Sequence, residues 1–213
     1  IAECLVGSEM CIRDRIWFDE TVQKLNVDGR GELLGEFRGE DKILVVSQKG
    51  VLKIIPPELT THFNDDMIVL EKWLPKKPIS AIYFDGKKEK YFAKRFLVEN
   101  ENKEEVFISD KKGSFLELIS TDWKPVFEIV FSKLRNKDQR ASQRIVFEEF
   151  ISVKGIKAQG NQLTTHKVKQ VNILEPLEFI PSIEKPAIEI EEVNNQDINN
   201  NENEPGSTQV TLF

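Results

Sequence analysis

Three Lys-Gly pairs recur in similar surroundings: Val45-Val46-Ser47-Gln48-Lys49-Gly50, Ile108-Ser109-Asp110-Lys111-Lys112-Gly113 and Phe150-Ile151-Ser152-Val153-Lys154-Gly155. Glycine supplies the positive φ of a tight turn, and a lysine beside it stays in water. Ammonium groups held at turns can contact phosphates and release their counterions without reading base sequence. Lys49, Lys111, Lys112 and Lys154 are therefore the leading candidates for a polyanion contact, followed by Lys94-Arg95. A third set lies between residues 133 and 169, where nine bases stand against three acids; Lys133, Arg135, Lys137, Arg140, Arg144, Lys157 and Lys167 belong to it. Other chemistry is poorly provided for. His62 and His166 lack metal-ligand spacing with any cysteine, and Cys4 and Cys11 both fall in the first fifteen residues. Glu148-Glu149 and Asp65-Asp66 are adjacent pairs, which in a strand point to opposite faces and cannot share a proton. Tyr83 and Tyr91 read as strand residues with packed rings and exposed hydroxyls.

Charge is unevenly distributed. The chain holds 36 Asp and Glu against 30 Lys and Arg, but residues 180–213 contain seven of the acids and one base. The remainder balances at 29 of each, so the field a polyanion meets is set by local clusters. No apolar run of the ~18 residues needed for a membrane span occurs, and no secretory leader is evident, so a cytoplasmic location is expected.

The elements that must position these cations are strands. From Ile43 onward the apolar residues come in short runs: 43–46, 51–55, 67–70, 79–84, 91–98, 106–108, 115–119, 126–131, 145–153 and 163–171. They are rich in Val, Ile, Phe and Tyr and are punctuated by Gly, Asp, Asn or Lys. The spacing predicts an all-β sandwich, barrel or propeller. The three Lys-Gly turns predict hairpins of blade-like units stacked side by side. Only Pro57 to Phe63 carries a helix signal. Trp17, Trp73 and Trp123 are expected to pack between blades. Residues 180–208 are rich in Pro, Asn, Glu and Gln and are expected to be disordered.

Ile16-Trp17-Phe18-Asp19 followed by Asp28 to Phe37 (DGRGELLGEF), then Asp41 to Val46, Tyr91 to Phe96 and Phe150 to Leu163, resemble in order the C-terminal domain of the A subunit of bacterial type IIA topoisomerases. The resemblance is nearest to topoisomerase IV of the Bacteroidetes lineage. It implies an all-β pinwheel, propeller-like and possibly open or incomplete, around which duplex DNA bends before the holoenzyme passes it through a cleavage gate. Decatenation and relaxation would be the activity of that holoenzyme. The gate tyrosine, the second A subunit and the B subunit with its ATP and Mg2+ belong to other domains, so no cofactor and no catalytic residue are expected here. Gyrase A subunits carry a Gln-Arg-Arg-Gly-Gly-Lys-Gly box; Asp28-Gly29-Arg30-Gly31 is a faint echo with one arginine, which favours topoisomerase IV over the gyrase alternative. A propeller-like protein scaffold without DNA affinity is the remaining alternative.

The expected organisation is a non-native leader over residues 1–15, whose LVGSEMCIRDR resembles translated sequencing-adapter sequence, a pinwheel over 16–178 of an N-terminally truncated protein, and an acidic tail over 179–213. The tail ends in Gln209-Val210-Thr211-Leu212-Phe213, which resembles the Gln-x-x-Leu-Phe peptide that docks on the DNA-polymerase sliding clamp. Gln209, Leu212 and Phe213 would make that contact, the apolar pair filling a pocket. The same acidic tail could compete with DNA for the cations. Nucleoid association follows from the DNA partner.

Overall fold

A computed structural model describes residues 14–99, 103–133 and 139–179. It contains four antiparallel sheets. The first sheet orders its strands β2-β1-β3, from β1 (Asp14–Asp19), β2 (Lys24–Asn26) and β3 (Glu32–Phe37). The second is β6-β4-β5-β9, from β4 (Ile43–Ser47), β5 (Val51–Ile55), β6 (Met67–Lys72) and β9 (Glu105–Val106). The third is β10-β7-β8-β13, from β7 (Ile79–Asp85), β8 (Lys90–Phe96), β10 (Phe115–Ser120) and β13 (Asn161–Gln162). The fourth is β12-β11-β14, from β11 (Val126–Phe131), β12 (Gln143–Val146) and β14 (Val168–Leu174).

One plan is repeated in every sheet. A hairpin forms first, and the next strand of that sheet returns to pair with the hairpin's first strand: β3 with β1, β6 with β4, β10 with β7 and β14 with β11. Each of those four pairings contains a register shift, the mark of a β-bulge that bends and twists the strand. The chain then builds the next sheet's hairpin before sending a short segment back to the hairpin's second strand. These returning segments are Thr61-His62-Phe63, Glu105-Val106-Phe107 and Asn161-Gln162-Leu163. Their middle residues pair with Lys24, Val51 and Phe92. Their third residues donate backbone N–H groups to Gln23 (2.9 Å), Gly50 (3.0 Å) and Tyr91 (2.8 Å).

The third residue of each segment is also the one that is buried. Phe63, Phe107 and Leu163 are at most 4% exposed, and each lies in a different core. Phe63 joins Ile16, Phe18, Leu25, Ile43 and Val45 between the first and second sheets. Phe107 joins Leu44, Leu52, Ala81 and Phe96 between the second and third, its ring 5.2 Å from that of Phe96. Leu163 joins Ile82, Ala93, Phe127 and Ile129 between the third and fourth. Burying such a side chain contributes about 1.5–3 kcal/mol, so every clip ties its own sheet to the next one.

Outside these cores, the first sheet presents Trp17 opposite exposed Leu33 beside an ion pair, and the fourth presents a polar network. On the side of the fourth sheet away from the third, Glu128 accepts hydrogen bonds from Ser142 (2.7 Å) and Asn172 (3.2 Å), and Gln170 bonds Asn172 (2.7 Å). On the first sheet, Arg15 of β1 lies 3.6 Å from Glu36 of β3. Among the described residues no clip reaches β12, and no core cluster joins the first sheet to the fourth. The fold is thus an all-β, pinwheel-like series of blades without barrel closure.

Several expectations are corrected. Pro57 to Phe63 forms turns and the first clip, because Phe63 must be extended to reach Gln23. The run 145–153 is not one strand: β12 stops at Val146, and α1 (Phe147–Phe150) buries Phe147 with its ring 4.9 Å from Phe127. Glu148 and Glu149 therefore lie in the first turn of that helix. Lys112-Gly113 joins β9 to β10, strands of different sheets, and Lys154-Gly155 follows an isolated parallel bridge between Phe96 and Lys154. Only Lys49-Gly50 is a hairpin tip. The Tyr83 hydroxyl is not exposed either; the residue is 4% accessible and meets the Gly160 backbone.

Candidate nucleic-acid interface

The tips of the second, third and fourth sheets form one continuous edge. Gly50, at φ +70°, closes the β4–β5 turn and packs against Ile108, where a Cβ would come within 2.6 Å of that side chain. This seating brings Lys49 and Lys111 to a common cleft of about 400 Å³, which Val106, Ile108 and Phe115 also line. The β7–β8 tip comes next. The Asp85 carboxylate accepts the backbone N–H groups of Lys87 (2.9 Å) and Lys88 (3.0 Å), and Gly86 N–H donates to Ser114 Oγ (3.0 Å). Burial pushes the Asp85 carboxyl up, but the Lys88 and Lys87 N–H groups and the Ser109 hydroxyl outweigh it and hold it below the usual range. A Cβ on Gly86 would lie 2.2 Å from the Lys112 carbonyl, so the tip rests directly on the 111–113 turn.

A second cleft, of about 580 Å³, separates the third and fourth sheets. Gly86, Lys90, Tyr91 and Gly113 line one side, and Thr164 to Val168 the other. The Lys167 carbonyl accepts the N–H of Ser132 (2.9 Å), which places exposed Lys133 beside it. Arg140 then lies over the Phe131 ring at 5.7 Å, and His166 meets the same ring edge-on at 5.7 Å. From Lys49 to Arg140 the edge therefore carries Lys111, Lys112, Lys87, Lys88, Lys90, Lys167 and Lys133 as well.

Carboxylates temper two of these cations. Lys49 lies 3.4 Å from Asp66 and Lys111 2.9 Å from Asp110. The hydrogen bond and charge of Lys111 hold the Asp110 carboxyl below its ordinary range, and the same contact raises Lys111. Both groups are fully in solvent, so a phosphate can compete for the lysine.

Between the two clefts stands an aromatic wall. Phe84 and Phe115 are stacked at 5.3 Å, and Tyr91 meets Phe84 at 5.1 Å and Phe115 at 6.4 Å, edge-on to both. Tyr91 donates its hydroxyl to Glu117 (3.5 Å).

Six of the sequence-predicted cations lie on this edge: Lys49, Lys111, Lys112, Lys133, Arg140 and Lys167. Arg144 is exposed on β12, opposite Glu128. Lys154 is half-buried and donates to Asn161 (2.8 Å); it pairs with Phe96, the end of β8 away from Lys90, and exposed Lys157 follows it there. Lys94 and Arg95 do not serve as surface cations. They are 5% and 6% exposed, because β8 is buried along most of its length. The Lys94 ammonium donates to the carbonyls of Phe107 (2.7 Å) and Ile156, and Arg95 donates to the Trp123 carbonyl (2.9 Å). Burial pulls the Lys94 ammonium down to about 8, partly offset by the charge of Glu105. Arg135, Lys137, Gln209, Leu212 and Phe213 lie outside the described residues.

Lys87, Lys88 and Lys90 were missed by sequence reasoning. Their signal was present in Asp85-Gly86-Lys87-Lys88-Glu89-Lys90, an Asp-Gly turn carrying three lysines between two apolar runs. It reads as punctuation until the second and fourth sheets are placed on either side of it.

Among curated proteins none matches the sequence. A family model described as the topoisomerase C-terminal domain of Bacteroidota matches residues 24–175, from the start of β2 to just past β14 and through all four sheets. That span exceeds two thirds of the 213 residues, and the chain belongs to this topoisomerase C-terminal domain family.

Proposed function

We propose that the domain binds duplex DNA along the edge running from Lys49 to Arg140 and bends it, serving the A subunit of a topoisomerase IV. The observation that carries this reading is the continuity of the edge. Cations from three successive sheets lie side by side, held there by clips and close backbone contacts. Contacts of this kind go to phosphates and are indifferent to base sequence. Bending a duplex of 20–30 bp costs on the order of 1–6 kcal/mol, a cost several phosphate contacts offset through counterion release. The domain presents the transported duplex, and the ATP-dependent passage of that duplex is carried out by domains that hold the gate, ATP and Mg2+.

The Asp28–Gly31 loop supports topoisomerase IV over gyrase. Gly29 and Gly31 adopt φ of +83° and +86°, and Asn26 Oδ1 accepts the backbone N–H groups of Asp28 (3.1 Å) and Arg30 (3.0 Å). Arg30 is turned to Asp28 (3.2 Å) and Asp19 (4.0 Å) of its own sheet. The loop is thus engaged within one blade, unlike a basic fastening between blades.

The test is titration of the full chain with a labelled duplex over a salt series, beside a variant carrying Lys49→Gln, Lys90→Gln and Lys167→Gln. Each lost phosphate contact lowers the slope of log affinity on log salt by about one, so the triple variant loses about three. An unchanged slope in a folded triple variant removes the edge as the interface.

A further inference from the structure

We propose that the Phe84–Tyr91–Phe115 wall is a stacking site for nucleobases, so that the edge prefers DNA whose bases are locally unstacked. The proposal rests on the DNA-binding reading above and adds to it a contact that is not electrostatic.

The placement of the wall makes the case. Phe115 lines the cleft that holds Lys49 and Lys111, while Phe84 and Tyr91 line the cleft that holds Lys90 and Lys167. An aromatic surface therefore opens on both sides toward paired ammonium groups. Phe115 is 44% exposed although it belongs to a strand, an arrangement that leaves apolar surface in water at the centre of a basic edge. Clefts of about 400 and 580 Å³ have room for a nucleotide. A strand whose phosphates sit on the lysines would carry its bases to the rings between them. Aromatic platforms flanked by cations are the general means of holding unstacked bases, because every base has a π face. A bent duplex supplies such bases where its steps open.

The experiment compares the full chain with full-chain Phe115→Ala and Phe115→Leu on two DNAs of equal length. One is a fully paired duplex, the other a duplex with a two-nucleotide bulge carrying 2-aminopurine. Phe115→Leu keeps apolar bulk without a ring, and circular dichroism checks that both variants remain folded. The proposal expects wild-type protein to bind the bulged DNA about fivefold or more tightly than the paired one and to quench the 2-aminopurine. Both variants lose that preference and the quenching while keeping the salt slope. Equal affinity of wild-type protein for the two DNAs, or a preference and quenching preserved in both variants, overturns the stacking site while the DNA-binding reading stands. Failure of wild-type protein to bind either DNA at low salt overturns both.

Discussion

Two residues show how charge and burial divide the work. Asp110 and Lys111 are paired in full solvent, so the pair is weak and competes with phosphate. Asp110→Asn should raise DNA affinity at low salt about two- to fivefold, measured by fluorescence anisotropy, and unchanged or weaker binding would show that Lys111 does not meet DNA. Lys94 is the opposite case. Its ammonium is enclosed by the Phe107 and Ile156 carbonyls near Glu105, and its pKa of about 8 lies below the ordinary 10.5. Between those values the unfolded chain binds more protons than the folded one, so the contribution of Lys94 to stability rises with pH through that window. Urea midpoints of wild-type protein relative to Lys94→Met should therefore increase from pH 8 toward pH 10. The salt slope of DNA binding should be the same in both proteins, since Lys94 faces no solvent. Lys94-Arg95 looked like a surface dipeptide because charge in sequence says nothing about depth. Its burial depends on two later segments, around Phe107 and Ile156, crossing β8.

At the scale of the element, the clips determine how blades follow one another. Truncating Phe107 to Ala should destabilise the domain by about 3–5 kcal/mol in urea unfolding, because the ring fills the core between two sheets. A loss below about 1 kcal/mol would mean the clip is only a surface contact. Gly86→Ala should cost about 1–3 kcal/mol, since its Cβ would meet the Lys112 carbonyl and lift the β7–β8 tip from its seat. The strands themselves were readable: apolar runs at 43–46, 51–55, 79–84 and 126–131 correspond to β4, β5, β7 and β11. The repeated plan was harder to see. Its units begin at Asp14, Ile43, Ile79 and Val126, at unequal intervals, and its clips are two or three residues long. A pairing that short leaves no periodicity; it exists only once the next hairpin has formed. The Lys-Gly similarity pointed to repetition correctly but marked three different structural positions.

Across the whole molecule, the series of blades turns scattered lysines into a line. Lys49, Lys90 and Lys167 are far apart in sequence, and their spacing does not show that they share one edge. Folding sets their tips against one another across two clefts. A net charge of -6 is compatible with DNA binding because the field at the edge is set by the cations gathered there. The measurement that bears most directly on this account is binding of the full chain to a ~40 bp duplex, about twice the span of a short bent site, labelled at both ends and titrated over a salt series. Bending of DNA along this edge predicts sequence-indifferent binding whose log affinity falls linearly with log salt, together with rising energy transfer as the ends approach. Absence of binding at low salt, or binding that salt leaves unchanged, would contradict it.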